Sequence, residues 1–538
     1  MKHKLYHLGV GLLSLFFACN LSADEVNRPD NELYKRGIMA IEADSLKLAK
    51  TYFTQEIEEH PDNGYAYAHL AVIRLKETEY AQALAALNGA MERIPSEDKE
   101  YRAYIHATRA HVYLQIADTT QAYNDLDQAI RYAPEQILLY QTRAQLYYEQ
   151  GNYTQSDADY QRIIELDERD EISYIGLGRN AKARGMYEEA LRLFDYVNEL
   201  YPNYDEPYAF RSDCFIEMKQ YDRALDDVIR ALGIGHGDRA FSNLLLLADS
   251  AFTLTVDKLK AQKMKEPEVP YYAYDLGVIF DRAERYREAI PFFEESFALD
   301  YDSADAYRLA YCYERLGFYE RALHFCDQAI SLDDKDNRHL YLKAWLLDHM
   351  GRTKEAISVI NECISNEPNR ASLYYARGWF EEHTGKPMEA IEDFTTCLLL
   401  SPEYAYSYLN RGIIYLRAGE KSRAARDFRK VVELETDPRE AECAYYAYYY
   451  LGDKETALEW LNQSLQQGNQ GAYYDAVCLY AQMGETGKAI DYLRESLKRG
   501  FRRFAHIRRD RMLDSIRHLL EFEELLKAYE AIHAKEVL

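Results

Sequence analysis

Apolar and small residues recur along this chain with a period of 34 positions, from near Asp30 to Gly500, and within each period they follow the spacing of two short amphipathic helices. The stretch from Ala405 to Pro438 carries the pattern in full. Tyr408, Tyr415, Phe428 and Val431 supply the apolar faces, Gly412 and Ala424 are small residues at the eighth and twentieth positions, and Ala418-Gly419-Glu420 forms the turn. Small side chains at those two places let the paired helices approach closely. The same register places Gly37, Ala49, Phe53 and Pro61 in the first repeat and Gly178, Ala190, Phe194 and Pro202 in the fifth. Later repeats carry Gly277 with Ala289, Ala310 with Ala322, Ala344 with Ala356 and Gly378 with Ala390. The expectation is an all-α solenoid of about fourteen helix pairs, each pair burying its faces against its neighbours.

The residues Gly412, Tyr415, Ala424, Phe428 and, displaced by two positions, Pro438 resemble the tetratricopeptide repeat (TPR). That resemblance covers most of the chain. It implies a right-handed superhelix with a concave and a convex face, and a scaffold that binds a protein or peptide partner rather than a catalyst. The pattern fails once, between Gly233 and Pro270, where Leu246 and Lys258 stand near the two small positions. The organisation expected is a signal segment at 1–23, a first sub-array at 30–236, a degenerate helix pair acting as a hinge at 237–270, a second sub-array at 271–504 and capping helices at 505–538.

Composition changes the picture in three places. A formal charge of −25 argues against binding nucleic acid or an anionic membrane through a broadly basic surface. The 49 tyrosines outnumber the 20 phenylalanines, which suits thin, solvated helix pairs in which a ring is buried while its hydroxyl stays wet. At the N-terminus, Lys2 and Lys4, the apolar run Leu8 to Ala18 and the small-residue site Leu21-Ser22-Ala23 read as an export signal, too short to span a bilayer with ease. Cys19 follows Leu15-Phe16-Phe17-Ala18, an imperfect lipobox, so lipidation at Cys19 is the alternative to cleavage after Ala23. Either outcome places the mature chain outside the cytoplasm, in a bacterium in the periplasm or anchored to a membrane as a lipoprotein. The seven remaining cysteines fall within helical repeats as small core residues, not as a disulfide framework.

No metalloprotease, nucleophile-elbow or phosphate-loop motif is present, and no enzyme, cofactor or metal site is expected. Gly233, Gly235 and Gly237 lack the preceding strand and the following Lys-Ser/Thr of a phosphate loop and read as a helix end. One regularity is countable within the sequence. Six repeats have Arg at the seventh position, namely Arg36, Arg109, Arg143, Arg211, Arg377 and Arg411. Five of those six have Asp at the twenty-third, namely Asp125, Asp159, Asp227, Asp393 and Asp427, and none of the other well-formed repeats does. These pairs are expected to bridge the two helices of a repeat, with Arg36 facing Tyr52 instead.

A second regularity concerns a binding face. In the TPR resemblance, positions 2, 5, 9 and 12 of each first helix face the concave surface. Four successive repeats place Tyr274, Tyr307, Tyr341 and Tyr375 at position 5, Val278, Tyr311, Trp345 and Trp379 at position 9, and Asp281, Glu314, Asp348 and Glu382 at position 12. The family's clamp for acidic peptide tails needs Lys and Asn there. Rings beside carboxylates suit instead an extended peptide bearing Lys or Arg, or a glycan stacked on the rings. The plain alternative is that these rings pack between adjacent first helices. The basic cluster Arg499, Arg502, Arg503, Arg508, Arg509 and Arg511 is expected to belong to the cap, paired with Asp510, Asp514 and Glu521.

Overall fold

In the computed structural model the described residues are 29–439, 441–467 and 470–536. The export signal and Cys19 lie outside them. The described chain is helical, without a strand among the described residues, and divides into two compact units, Met1–Ala251 and Phe252–Leu538. The first unit holds six helix pairs, from Glu32–Glu42 with Leu46–Glu59 to Asp205–Glu217 with Tyr221–Gly235, and ends in Asp238–Ser250, which packs on the last pair. The second opens with Phe252–Lys265 against Pro270–Arg282 and continues through seven pairs to Gln470–Gln482 with Thr486–Lys498. It finishes with Phe504–Arg509, a 3-10 turn at Arg511–Leu513 and the helix Leu520–Glu536. The residues read as a degenerate pair are thus the last helix of one unit and the first of the other. Among the described residues no helix is long and apolar enough to cross a membrane.

The eighth position is small because a side chain from the second helix lies over it. A Cβ added at Gly37 would come within 2.5 Å of Phe53, at Gly178 within 2.5 Å of Phe194, at Gly277 within 2.6 Å of Phe293 and at Gly412 within 2.7 Å of Phe428. In four repeats whose eighth residue is alanine, the residue at the twenty-fourth position is smaller: Leu87 below Ala71, Leu126 below Ala110, Cys326 below Ala310 and Ile360 below Ala344, all fully buried. Volume is conserved across these eight pairs, as close packing requires, whereas Tyr160, in the repeat of Ala144, lies over Gly176 of the next repeat. All seven described cysteines are free and buried.

The turn between paired helices puts its fifteenth residue in the left-handed region. Glycine takes this place at Gly151, Gly185, Gly317, Gly351, Gly385 and Gly419, whereas Asp44, Thr78, Ala117, Lys219 and Glu284 adopt the same positive φ.

Each of the five Arg-Asp pairs is a fork. Arg109 donates through Nε and Nη2 to Asp125 at 2.7 and 2.6 Å, Arg143 to Asp159 at 2.9 and 2.6 Å, and Arg211 to Asp227 at 2.8 and 2.5 Å. Arg377 reaches Asp393 at 2.7 and 2.7 Å, and Arg411 reaches Asp427 at 2.8 and 2.9 Å. The structure adds a third arm. Nη1 of the same arginines reaches the preceding repeat, at Asn88, Asp127, Asp195, Asn361 and Thr395, at 2.5 to 3.0 Å. One guanidinium thus joins the two helices of its own repeat to the second helix of the one before. Arg36 does not face Tyr52; its Nε lies 2.9 Å from Glu32 on the same helix, where an exposed charge finds its nearest partner one turn away.

Candidate functional site

The ring-and-acid ladder falls on the first helices Pro270–Arg282, Ser303–Arg315, Asn337–His349 and Ala371–His383, all in the second unit. Its rings are partly buried, and several pack between neighbouring helices. Tyr274 meets Phe293 edge-on at 5.8 Å, Tyr307 lies 5.4 Å from His339, and Tyr311 lies 6.3 Å from Tyr286. Tyr341 lies 6.3 Å from Trp345, Trp345 meets Phe380 edge-on at 5.0 Å, and Tyr375 sits 5.0 Å from Tyr404. Trp379 lies 4.7 Å from His383 and 6.0 Å from His506.

The acids do not line an open groove, and this corrects the expectation from the repeat positions. Asp281, Glu314 and Asp348 are buried, Glu382 is partly so, and each is engaged by a cation. Asp281 pairs with Arg308 of the next repeat at 2.9 Å. The other three are met by the C-terminal segment. Arg503 lies 3.3 Å from Glu314, Arg509 lies 3.6 Å from the Asp348 carboxylate and donates at 2.8 Å to its main-chain carbonyl, and Arg511 lies 3.4 Å from Glu382, which Arg417 also holds at 2.6 Å. Arg509 further donates to Thr353 Oγ1 at 2.9 Å.

The basic cluster is therefore more than a cap paired with its neighbours. Arg499 and Arg508 take Glu495 and Glu530, but Arg503, Arg509 and Arg511 reach back across more than a hundred residues to the ladder. The reason is electrostatic. Three partly desolvated carboxylates in register attract a segment with three arginines in register, and local i,i+4 acids cannot match that concentration of charge. The segment is held by shape as well. His533 stacks on Phe318 at 4.5 Å and shares a hydrogen bond of 3.1 Å with the Gly317 carbonyl, and a Cβ at Gly317 would come within 2.3 Å of Arg502.

Charge states follow from these contacts. Burial raises the Asp348 carboxyl, but the His383 ring 3.6 Å away, the Thr353 hydroxyl that donates to it at 2.7 Å and the charge of Arg509 outweigh burial and hold it at about 2. Burial lowers His349 well below its ordinary value, aided by Arg503 and Arg509, and lowers His506 to about 4, so both imidazoles are neutral near pH 7. Burial lifts Asp281 despite Arg308.

Beneath the segment lies a chamber of about 340 Å³, walled by Trp345, Tyr375, Trp379, Tyr406, Tyr446, Tyr474 and Phe501, with Asp348, Asp475, Asp510, His349, His506, Asn410 and Arg503 among its polar lining. Position-by-position reading of the repeats missed Tyr406, which stands at the second position of a well-formed repeat beyond the four-repeat ladder, and it missed Tyr474, Asp475 and Asp510, which come from a repeat whose pattern had weakened and from the C-terminal segment. Among the described residues no group of three His, Cys, Asp or Glu is arranged to hold a metal.

Comparison with known proteins follows the same lines. Residues 282–376 match the family model described as anaphase-promoting complex, cyclosome, subunit 3, and tetratricopeptide-repeat models match residues 138–170, 375–441 and 471–499. No curated protein sequence matches significantly. Among solved structures, a tetratricopeptide repeat protein from Parabacteroides merdae is 20% identical over 52% of this chain and 97% of its own, with a TM-score of 0.36. The Cut9-Hcn1 assembly of the APC/C is 14% identical over 92% and 96%, with a TM-score of 0.34. MamA from Desulfovibrio magneticus RS-1 is 23% identical over 31% and 94%, with a TM-score of 0.29. Helix pairs thus repeat through both units, and tetratricopeptide-repeat models match segments of each.

Proposed function

We propose that the protein is a non-enzymatic scaffold working outside the cytoplasm, and that the ladder of its second unit binds an extended, arginine-bearing segment of a protein partner. The observation that carries this reading is that Glu314, Asp348 and Glu382 already hold Arg503, Arg509 and Arg511 of the chain itself. An internal segment held this way occupies the face that a partner of the same chemistry would need. Binding is then an exchange, in which the partner gains what the internal segment gives up, and affinity is set by the difference.

The test uses the full chain and a labelled peptide with the sequence of residues 499–513. In an Arg503→Glu/Arg509→Glu variant the internal segment is repelled by Glu314 and Asp348, while the ladder itself is unchanged. Hydrogen exchange first verifies that the segment has left. The peptide is expected to bind this variant at least tenfold more tightly than the unaltered chain. An undocked variant that ignores the peptide removes the reading. Glycan binding remains the second reading, supported by the partly exposed rings of Trp345 and Trp379, and a glycan array probed with the same two proteins separates it. Export is tested by fractionation of cells carrying the full chain, with Cys19→Ala distinguishing a lipid anchor from signal cleavage.

A further inference from the structure

The chamber below the C-terminal segment has a chemistry distinct from that of the ladder. Asp475 stands on it, with Tyr445 and Tyr446 donating to its carboxylate at 2.7 and 2.9 Å. No arginine, lysine or histidine pairs with it among the described residues. Asp510 accepts from Tyr474 at 2.9 Å, with the ring of His506 at 3.6 Å. Arg503 is the one arginine or lysine on the wall, and it is engaged by Glu314. The chamber therefore holds two carboxylates without a permanent counter-charge, enclosed by aromatic faces that are themselves electron-rich. Burial lifts Asp475 to about 6 against the pull of the two hydroxyls, consistent with a carboxylate that lacks a cation.

What remains free on the wall decides the ligand class. The hydroxyls of Tyr446 and Tyr474 already donate to the carboxylates, and the Asn410 amide nitrogen lies 3.4 Å from the Tyr375 hydroxyl. An anion would meet no free counter-charge, since Arg503 is taken by Glu314. Carboxylates and aromatic rings make up most of the remaining lining. A donor-rich cation uses all of these: carboxylates for charge, rings for cation–π contact, and a volume at the low end of that taken by small ligands.

We infer that this chamber is a binding site for an organic cation, an ammonium or guanidinium group carried by a small molecule or by the tip of a peptide side chain, with Asp475 as its counter-charge and Trp345, Trp379 and Tyr406 as its cage. The site does not depend on displacement of the C-terminal segment, since Phe501 and Asp510 of that segment form part of its wall.

Calorimetric titration of the unaltered full chain tests it with choline, agmatine, putrescine and short Lys- or Arg-containing peptides, beside 3,3-dimethylbutanol, glucose and acetate. At least one cation is expected to saturate a single site, and its neutral isostere is expected to bind at least tenfold more weakly. Free cations binding without the peptides identify a small-molecule site, and the reverse identifies a side-chain pocket. Asp475→Asn keeps acceptor and donor atoms for Tyr445 and Tyr446 and is expected to fold, yet to weaken the cation at least tenfold. Trp379→Leu gives a second, uncharged lesion with the same expected direction. The inference is overturned if no cation binds, if dimethylbutanol or glucose binds as tightly as the cations, or if both variants bind unchanged. Failure of the peptide to bind the undocked variant would leave this titration unaffected, so the two readings stand or fall separately.

Discussion

Arg509 donates to the main-chain carbonyl of Asp348 at 2.8 Å, joining positions 161 residues apart. A fork on a carbonyl and on the Thr353 hydroxyl fixes the segment's position, whereas charge alone would leave it free to slide. Replacing Arg503 and Arg509 together by alanine is expected to raise hydrogen exchange across residues 501–512 by about tenfold or more, without changing exchange in the first unit. Gly317→Ala should act in the same direction, since its new methyl group meets Arg502. Unaltered exchange in both variants would show that the segment is held by the packing of Leu520–Glu536 instead.

The Arg377-Asp393 fork is expected to be stabilising and specific to arginine. The Asp393 side chain is 7% exposed and that of Arg377 25%, so removing one partner strands a largely buried charge. Asp393→Ala should cost about 1–3 kcal/mol in urea unfolding, and Arg377→Lys should recover only part of the wild-type value because a lysine cannot fork. The third arm, to Asn361, predicts that Arg377 substitutions also loosen the preceding repeat.

The fifteenth-position turn offers the opposite effect. Thr78 holds φ at +62°, a conformation that a β-branched residue adopts only at a cost. Thr78→Gly is expected to stabilise the first unit by about 0.5–1 kcal/mol, and Glu284→Gly should do the same in the second. Thermal melts of the two variants check this against Gly419→Thr, which should lose a similar amount.

Two buried carboxyls give the second unit a stability contribution that grows as pH falls. Burial raises Asp305 to about 7, its Oδ2 bonded to Ser296 at 3.0 Å and its Oδ1 without a partner, and burial with the nearby Asp393 raises Glu381 to about 7. A carboxyl whose folded value lies above its unfolded one prefers the protonated form in the folded chain. Its cost is therefore present above the folded value and relieved as pH falls through about 7 toward the ordinary carboxylate range. His349 and His506, held neutral by burial, act the other way as pH falls below their ordinary value, so the carboxyl effect is read by difference: Asp305→Asn should lower the change in stability between pH 8 and pH 5.5 by about 1–2 kcal/mol relative to the unaltered chain. Asp348, held near 2, keeps its contacts throughout this window.

The sequence by itself determined the repeating unit. Period, small positions, turn and the Arg-Asp pairing are all set by contacts within a helix pair or between neighbours, so they recur at a fixed spacing that can be counted in one chain. Volume pairing was half legible: Cys326 was visibly the substitute for a phenylalanine, but that Ala310 above it compensates is a fact of packing. The ladder residues Trp345, Trp379, Asp348 and Glu382 were found by position, yet their surroundings were not. Whether they face solvent depends on Arg503, Arg509 and Arg511 folding back from more than a hundred residues away, and no local period records such a contact. The chamber was less legible still, because Asp475 and Asp510 acquire meaning only when two distant stretches enclose the same volume. Local physics repeats and can be read along the chain; closure of the segment on the ladder happens once, and only the tertiary structure decides it.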